Sequence, residues 1–356
     1  MNPAPTPEPE TRIERRGRAG WITLNRPRAL NALTLGMVRE IAAALDAFES
    51  DPEVRLVVIA GSGERAFCAG GDVRWLYDHG RSHKYAEQAA FWREEYILDH
   101  RIKRFPKPFV ALIDGIVMGG GVGVSINGAY RVVGDKVVFA MPEVGIGLFP
   151  DVGATYFLPR LPRRLGGFLA LTGLSIKAGD MAALGLATSY TPSARIADLA
   201  QALAFGGASV EATLQDFAAA PPVAPLWAAS EWIERAFGTF DPAAIRANVD
   251  HAAREGLPFA SEAFEALGRK SPTSQAIVLE QMELGATLEF EEALRFEFRI
   301  VSRVARGHDF YEGVRAIIID KDNAPRWRPR PGEPIPESAV AAYFAPLPAD
   351  EELGFS

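Results

Sequence analysis

The sequence predicts an α/β layered fold. Two short apolar runs rich in branched residues, Val54–Ala60 and Phe109–Ile113, have the length of buried strands. The first is stopped by Gly61-Ser62-Gly63, and the second leads into a stretch with six glycines between Gly115 and Gly128. A strand, strand, helix pattern then recurs as far as about residue 190.

In chain order, residues 1–12 are rich in proline and charge and read as disordered. Gly20–Leu24 reads as a strand, followed by a turn through Asn25, Pro27 and Arg28. Thr34 is placed to cap a helix running to about Ser50, with Met37, Ile41, Ala44, Leu45 and Phe48 on one face. After the strand at 54–60, the segment Arg65–Leu76 is a second glycine turn entering a helix. Residues 84–105 read as helical, and Arg131–Ala140 as a hairpin around Gly134-Asp135. Helices follow near 164–172 and 178–184, ending at Gly173 and Gly185. Short helices, broken by the Pro221–Pro225 stretch, are expected across 192–270. From Ser271 the pattern is firmly helical, with Leu294, Phe298, Val301 and Ala305 on one face. A further helix within Gly307–Trp327 ends by Pro325, and the tail beyond Arg328 reads as loose.

Composition narrows the function classes. The 356-residue chain is 48% hydrophobic and 23% charged, ordinary for a globular protein. Its net charge of −7 and lack of a basic block disfavour nucleic acid and anionic membrane as partners. Cys68 is the single cysteine, so neither an intrachain disulfide nor a thiolate zinc cage can form, which fits a reducing compartment. The N-terminal stretch has neither the apolar core of a signal peptide nor the acid-poor character of a transit peptide. A cytoplasmic protein is therefore expected. There is no G-x-S-x-G elbow, Walker loop or complete G-x-G-x-x-G fingerprint. His79 and His83 stand four apart without an acidic third ligand and read as surface histidines, so no metal is expected. Cys68 reads as a small packed residue, not a nucleophile.

The chain is organised around Met118–Asp151. Its glycine triplet, Gly119–Gly121, lets another backbone or a ligand come close. Glu143 and Asp151 then fall in a segment otherwise made of Met, Pro, Gly, Val, Ile, Leu and Phe. A carboxylate in such surroundings must be paired, hydrogen-bonded or protonated. Bare amides beside tuned carboxylates are the equipment for stabilising an oxyanion and managing water. The same residues could equally cap a helix or hold an arginine.

Three motifs in order, Phe67–Asp72 (FCAGGD), Met118–Gly123 (MGGGVG) and Met141–Asp151 (MPEVGIGLFPD), resemble those of the crotonase (enoyl-CoA hydratase/isomerase) superfamily. Phe91–Tyr96 (FWREEY), Phe149–Pro162 and Gly307–Trp327 are similar to the branch that hydrolyses 3-hydroxyisobutyryl-CoA. The likeness is dense over 20–190, good over 270–328 and thin between. It implies a crotonase-like superhelix of repeated β-β-α units with a C-terminal helical region, and an acyl-CoA thioester substrate. On that basis residues 13–191 form the core, 192–270 a helical insert or lobe, and 271–356 a C-terminal helical region and tail.

The resemblance also assigns roles. The amides of Gly71 and Gly120 would form the oxyanion hole, and Glu143 would activate water or attack the carbonyl itself. Asp151 would hold the substrate's 3-hydroxyl and assist proton transfer to the leaving thiolate, with Glu95 on the same hydroxyl or on water. Arg26, Arg28 and Arg65 stand where the superfamily meets coenzyme A, though each could be a solvated arginine, and Lys321 is a weaker candidate. The family's hydratases carry a glutamate where this chain has Gly123, so half of their acid/base pair is missing. Hydrolysis of 3-hydroxyisobutyryl-CoA, in valine breakdown, is thus implied over hydration or isomerisation, and over a non-catalytic CoA-binding role. No cofactor is implied, since coenzyme A belongs to the substrate. Homo-oligomer formation stays open: superfamily relatives are often trimers, and the extra helical region could block that contact.

Overall fold

A computed structural model describes residues 8–355. Among the described residues, nine strands form two sheets. The larger has the order β1 (Thr11–Arg16), β2 (Ala19–Leu24), β3 (Leu56–Gly61), β5 (Phe109–Ile113), β7 (Tyr130–Val133) and β9 (Ser189–Tyr190). Only the β1–β2 pair is antiparallel. The smaller sheet is parallel and holds β4 (Ala66–Cys68), β6 (Ile116–Met118) and β8 (Val138–Ala140).

The first turn lays both β1 and β2 in the large sheet, the next three each lay one strand in the large sheet and the following one in the small sheet, and a helix follows every pair. The helices of these turns are α1 (Leu35–Ser50), α2 (Val73–Arg81), α3 (Tyr85–Lys103), α4 (Gly120–Ile126) and α5 (Ala154–Phe157). This is the superhelix of β-β-α units that the sequence predicts.

Alternation along the large sheet sorts its two faces. Ile22, Val57, Ile59, Ala111 and Val133 face the main core with α1 and α3. Trp21, Leu56, Val58, Val110 and Val132 face a second core. Leu199, Leu203, Val210 and Leu214, from the helices Ile196–Phe205 and Val210–Phe217, close that second core. A parallel sheet needs both faces covered. The later helices, from Ser230–Ala236 through Phe290–Val304, instead join the main core beside the site.

Three expectations are corrected. The predicted hairpin over Arg131–Ala140 does not form. β7 pairs with β5 and β8 with β6, so Gly134-Asp135 crosses from one sheet to the other. Both strands are buried, and parallel partners satisfy their backbones better than an isolated hairpin would.

Disorder through residue 12 is also wrong at its end. Thr11 and Arg12 begin β1, in register with Leu24 and Thr23. Asn25 Nδ2 donates to Pro9 O at 2.8 Å. The rest of that expectation, residues 1–7, lies outside the described residues.

The tail beyond Arg328 is not loose. It contains the helix Glu337–Phe344, buries Leu353, and pairs Glu352 with Arg299 at 2.6 Å. Its proline content obscures a strap fixed by side chains from elsewhere.

Candidate active site

The site forms where three segments leave the C-terminal ends of the small sheet. Because β4 and β6 are adjacent, with Cys68 opposite Val117, the turns that follow them lie side by side. β8 then sets Ala140 opposite Met118, so Glu143 emerges next to the glycine triplet. The ends of parallel strands are the usual place for a ligand crevice in α/β folds.

Gly70 and Gly119 carry φ values of 114° and 48°. Their turns need that freedom, which L side chains rarely allow. A Cβ placed on Gly120 would lie 3.4 Å from the Gly71 amide nitrogen and would overlap Glu95 Oε1. The two glycines predicted as the oxyanion hole are therefore neighbours, with the Glu95 carboxyl over them. Gly120 is the first residue of α4, where an N–H has no intrahelical partner. Among the described residues neither amide is used in a turn or loop hydrogen bond.

Glu143, Asp151 and Glu95 are each at least 94% buried, with relative exposures of 6%, 4% and 2%. A Cβ on Gly119 would sit 3.1 Å from Glu143 Oε1, so this carboxyl faces the triplet. Burial pushes the Glu143 and Glu95 carboxyls well above the ordinary range, and their carboxylate neighbours add to it. Burial likewise raises Asp151, to about 6, against the opposing hydrogen bond from Tyr96. That bond, Tyr96 Oη to Asp151 Oδ2, is 2.7 Å. Among the described residues Glu143 Oε2 and Glu95 Oε1 have no hydrogen-bond partner.

Sequence reasoning missed several residues here. Asp99, one turn after Glu95 on α3, is fully buried, and among the described residues both of its oxygens are unpartnered. Burial first, then Glu95 and Asp151, push its carboxyl well up. It explains Gly123: a Cβ there would be 2.7 Å from Asp99 Oδ1 and 2.8 Å from the Val152 Cβ. The position where a hydratase would carry a second glutamate has no room for any side chain. Glu297, from the helix Phe290–Val304, is also fully buried. Burial raises it to about 8 against the two backbone amides it accepts. Lys270, half-buried, lies against Gly145, and its charge draws the Glu143 carboxyl down. A signal existed for two of these. Asp99 interrupts the buried stripe of Phe91, Trp92, Leu98 and Ile102, and Glu297 that of Leu294, Phe298 and Val301.

The arginine candidates separate. Arg26 is engaged within the fold: it pairs with Asp72 and with Glu10, each at 3.0 Å, and donates to Ala32 O. Asp72 in turn caps α2, so Arg26 braces the Gly71 turn instead of standing open to coenzyme A. Arg28 and Arg65 are exposed and, among the described residues, unpaired. His79 stacks on Trp75 and pairs with Glu87, and His83 meets Tyr85. Among the described residues no three His, Cys, Asp or Glu are grouped to hold a metal ion. Cys68 is buried, and burial pushes its thiol up to about 12, which makes it inert.

Fold and site together define a crotonase-type acyl-CoA enzyme, and comparison with known proteins agrees. Residues 19–344 match the family model described as enoyl-CoA hydratase/isomerase, so this chain belongs to that family. It is 42% identical over 341 residues to the mitochondrial 3-hydroxyisobutyryl-CoA hydrolase of Gallus gallus, covering 94% of this chain and 88% of that one. It is 41% identical to the Homo sapiens protein of the same name, over 95% of this chain and 89% of that one. Among solved structures, a carnitinyl-CoA dehydratase from Mycobacterium thermoresistibile matches with a TM-score of 0.91 and 41% identity, covering 97% and 98% of the two chains. An enoyl-CoA hydratase from Rhodobacter sphaeroides gives 0.90 and 42%, over 98% and 100%.

Proposed function

We propose that this chain hydrolyses the thioester of 3-hydroxyisobutyryl-CoA, and of other short 3-hydroxyacyl-CoAs, to the free acid and coenzyme A. The observation that carries it is buried Glu143 facing the glycine triplet, with Gly123 closed to the second glutamate that a hydratase would carry there. Hydration of a C=C needs one group to activate water and another to protonate carbon. Thioester hydrolysis needs the first but no proton delivered to carbon.

The thioester oxygen sits against the amides of Gly71 and Gly120. Negative charge that develops there in the transition state is met by donors already in place. Glu143 draws a proton from water, or attacks the carbonyl itself to give an anhydride that water then opens. The C–S bond breaks and the thiolate takes a proton by way of Asp151, which Tyr96 orients. Asp151 and Glu95 hold the 3-hydroxyl, and a substrate lacking it leaves both without a partner. Arg28 and Arg65 meet the phosphates of coenzyme A. No cofactor enters this scheme.

A place in valine breakdown and a cytoplasmic location complete the proposal. A single cysteine, buried in the fold, is compatible with a reducing compartment, whereas the relatives named above are mitochondrial. No helix among the described residues is long and apolar enough to cross a membrane. Cell fractionation tests the location.

Pure protein incubated with 3-hydroxyisobutyryl-CoA and a thiol reagent should release coenzyme A. The variant Glu143→Gln should lower kcat by roughly 10²–10⁴-fold. Loss of the enoyl absorbance of crotonyl-CoA without thiol release would instead mark a hydratase, and equal activity in the two proteins would remove Glu143 from the chemistry. Multiple turnovers in ¹⁸O-water separate the two routes. Label appears in the Glu143 peptide only if the anhydride forms.

A further inference from the structure

The turn that presents Asp151 is strained. Val152, fully buried, has φ of +55°, and Gly153 follows at +94°. A β-branched residue in the left-handed region is a true outlier and persists only when its surroundings fix it. Three polar side chains, one just past the end of a helix and two on separate helices, do so here.

The first is Asn127, just after α4, whose Nδ2 donates to Val152 O at 3.2 Å. The second is Gln281, on the helix Pro272–Gly285, whose Nε2 donates to Pro150 O at 3.0 Å and to Thr155 Oγ1 at 2.7 Å. The third is Glu297, which accepts the Gly153 N–H on one oxygen and the Thr155 N–H on the other, both at 2.8 Å. These two amides flank Ala154, the first residue of α5, where backbone N–H groups lack helical partners. A carboxyl group can satisfy two such amides at once, one on each oxygen.

From this geometry we infer that Glu297 is a positioning residue: it clamps the Asp151–Thr155 turn with Val152 left-handed and so aims Asp151 at Tyr96 and the substrate. Nothing in the sequence motifs assigns it such a part. It lies nearly 150 positions from Asp151 on a helix outside the β-β-α repeats. The C-terminal helices would then do more than shield the site. One of them sets the aim of a carboxyl that works in it. The functional half of this inference rests on the role proposed above for Asp151.

The test is Glu297→Gln, which keeps the size but turns an N–H2 donor toward a backbone N–H. In the wild-type background kcat should fall roughly 10–100-fold, as for a displacement of about 1 Å, with KM nearly unchanged. In an Asp151→Asn background, E297Q should change kcat by no more than about 2-fold, because the turn then has no acid to aim. A crystal structure of E297Q should show Val152 relaxed to negative φ and the Tyr96–Asp151 bond broken. Equal losses of kcat in both backgrounds would overturn the inference. So would a structure with Val152 still left-handed and that bond intact, whatever the activity. If Asp151→Asn alone keeps full kcat, the proposed role of Asp151 is what fails, and the structure of E297Q decides the clamp by itself. Should E297Q not fold, Gln281→Met is measured in its place with the same expectations. Failure of both to fold would mark the clamp as a folding element and overturn the positioning role.

Discussion

Gly123 and Asp99 show how one missing side chain and one unexpected side chain explain each other. The Asp99 carboxyl and Val152 fill the space a Cβ at 123 would need. Gly123→Ala should therefore lose about 1–3 kcal/mol of stability, as overpacking does, measured by urea unfolding. Gly123→Glu should not convert the enzyme to a hydratase, and it should fold poorly. An unchanged midpoint for the alanine variant would mean that the Asp99 carboxyl moves freely.

Asp99 also makes a pH prediction. Its carboxyl is raised well above the ordinary 3.8 by burial, so the folded chain keeps a proton that the unfolded chain releases. Folding then takes up a proton, and stability contributed by this group is full below the unfolded pKa and falls as pH rises toward the folded one. The slope is about 1.4 kcal/mol per pH unit for one such group. Asp99→Asn removes it. The variant should gain on the wild type as pH rises from 4 to 7, and the two should converge at low pH. Unfolding midpoints across that range check it, and parallel curves would show that Asp99 is ionised in the native state.

At the scale of elements, α3 does two jobs with one face. Phe91, Trp92 and Ile102 anchor it in the core, while Glu95, Tyr96 and Asp99 on the same buried side reach the site. The C-terminal strap holds this helix from outside. Arg93 donates to the carbonyls of Glu351 and Glu352, Arg299 grips Glu352, and Phe344 packs edge-on to Phe296. Truncation before Glu337 should leave the β-β-α core folded but raise amide exchange in α3 and lower kcat. Protection in α3 equal to that of the full chain would show that the strap is only a cover.

At the scale of the whole molecule, the site is a buried cluster of five carboxyls, Glu95, Asp99, Glu143, Asp151 and Glu297, with half-buried Lys270 as the nearby cation. Such groups cannot all ionise together. In the role proposed for Glu143 it must be ionised to act, so activity should be lost as pH falls through its raised pKa. The rising limb of kcat/KM should lie above the ordinary glutamate value of 4.5. A pH–rate profile from 4 to 8 checks this, and a limb at or below 4.5 would mean that Glu143 is solvated in the free enzyme.

The sequence by itself determined the local pieces. Branched apolar runs placed β3 and β5, Thr34 placed the start of α1, and the glycine turns together with Glu143 and Asp151 marked buried groups, whereas Glu95 came only from the family resemblance. These are short-range signals, because propensity, capping and turn freedom act within a few residues. Only the tertiary structure decided that β7 and β8 part into two sheets, that the tail is a strap, that Arg26 braces Asp72, and that Asp99 and Glu297 belong to the site. Each of these depends on which distant segment fills a given volume or satisfies a given amide. That is settled when the layers close on one another, and no local pattern encodes it.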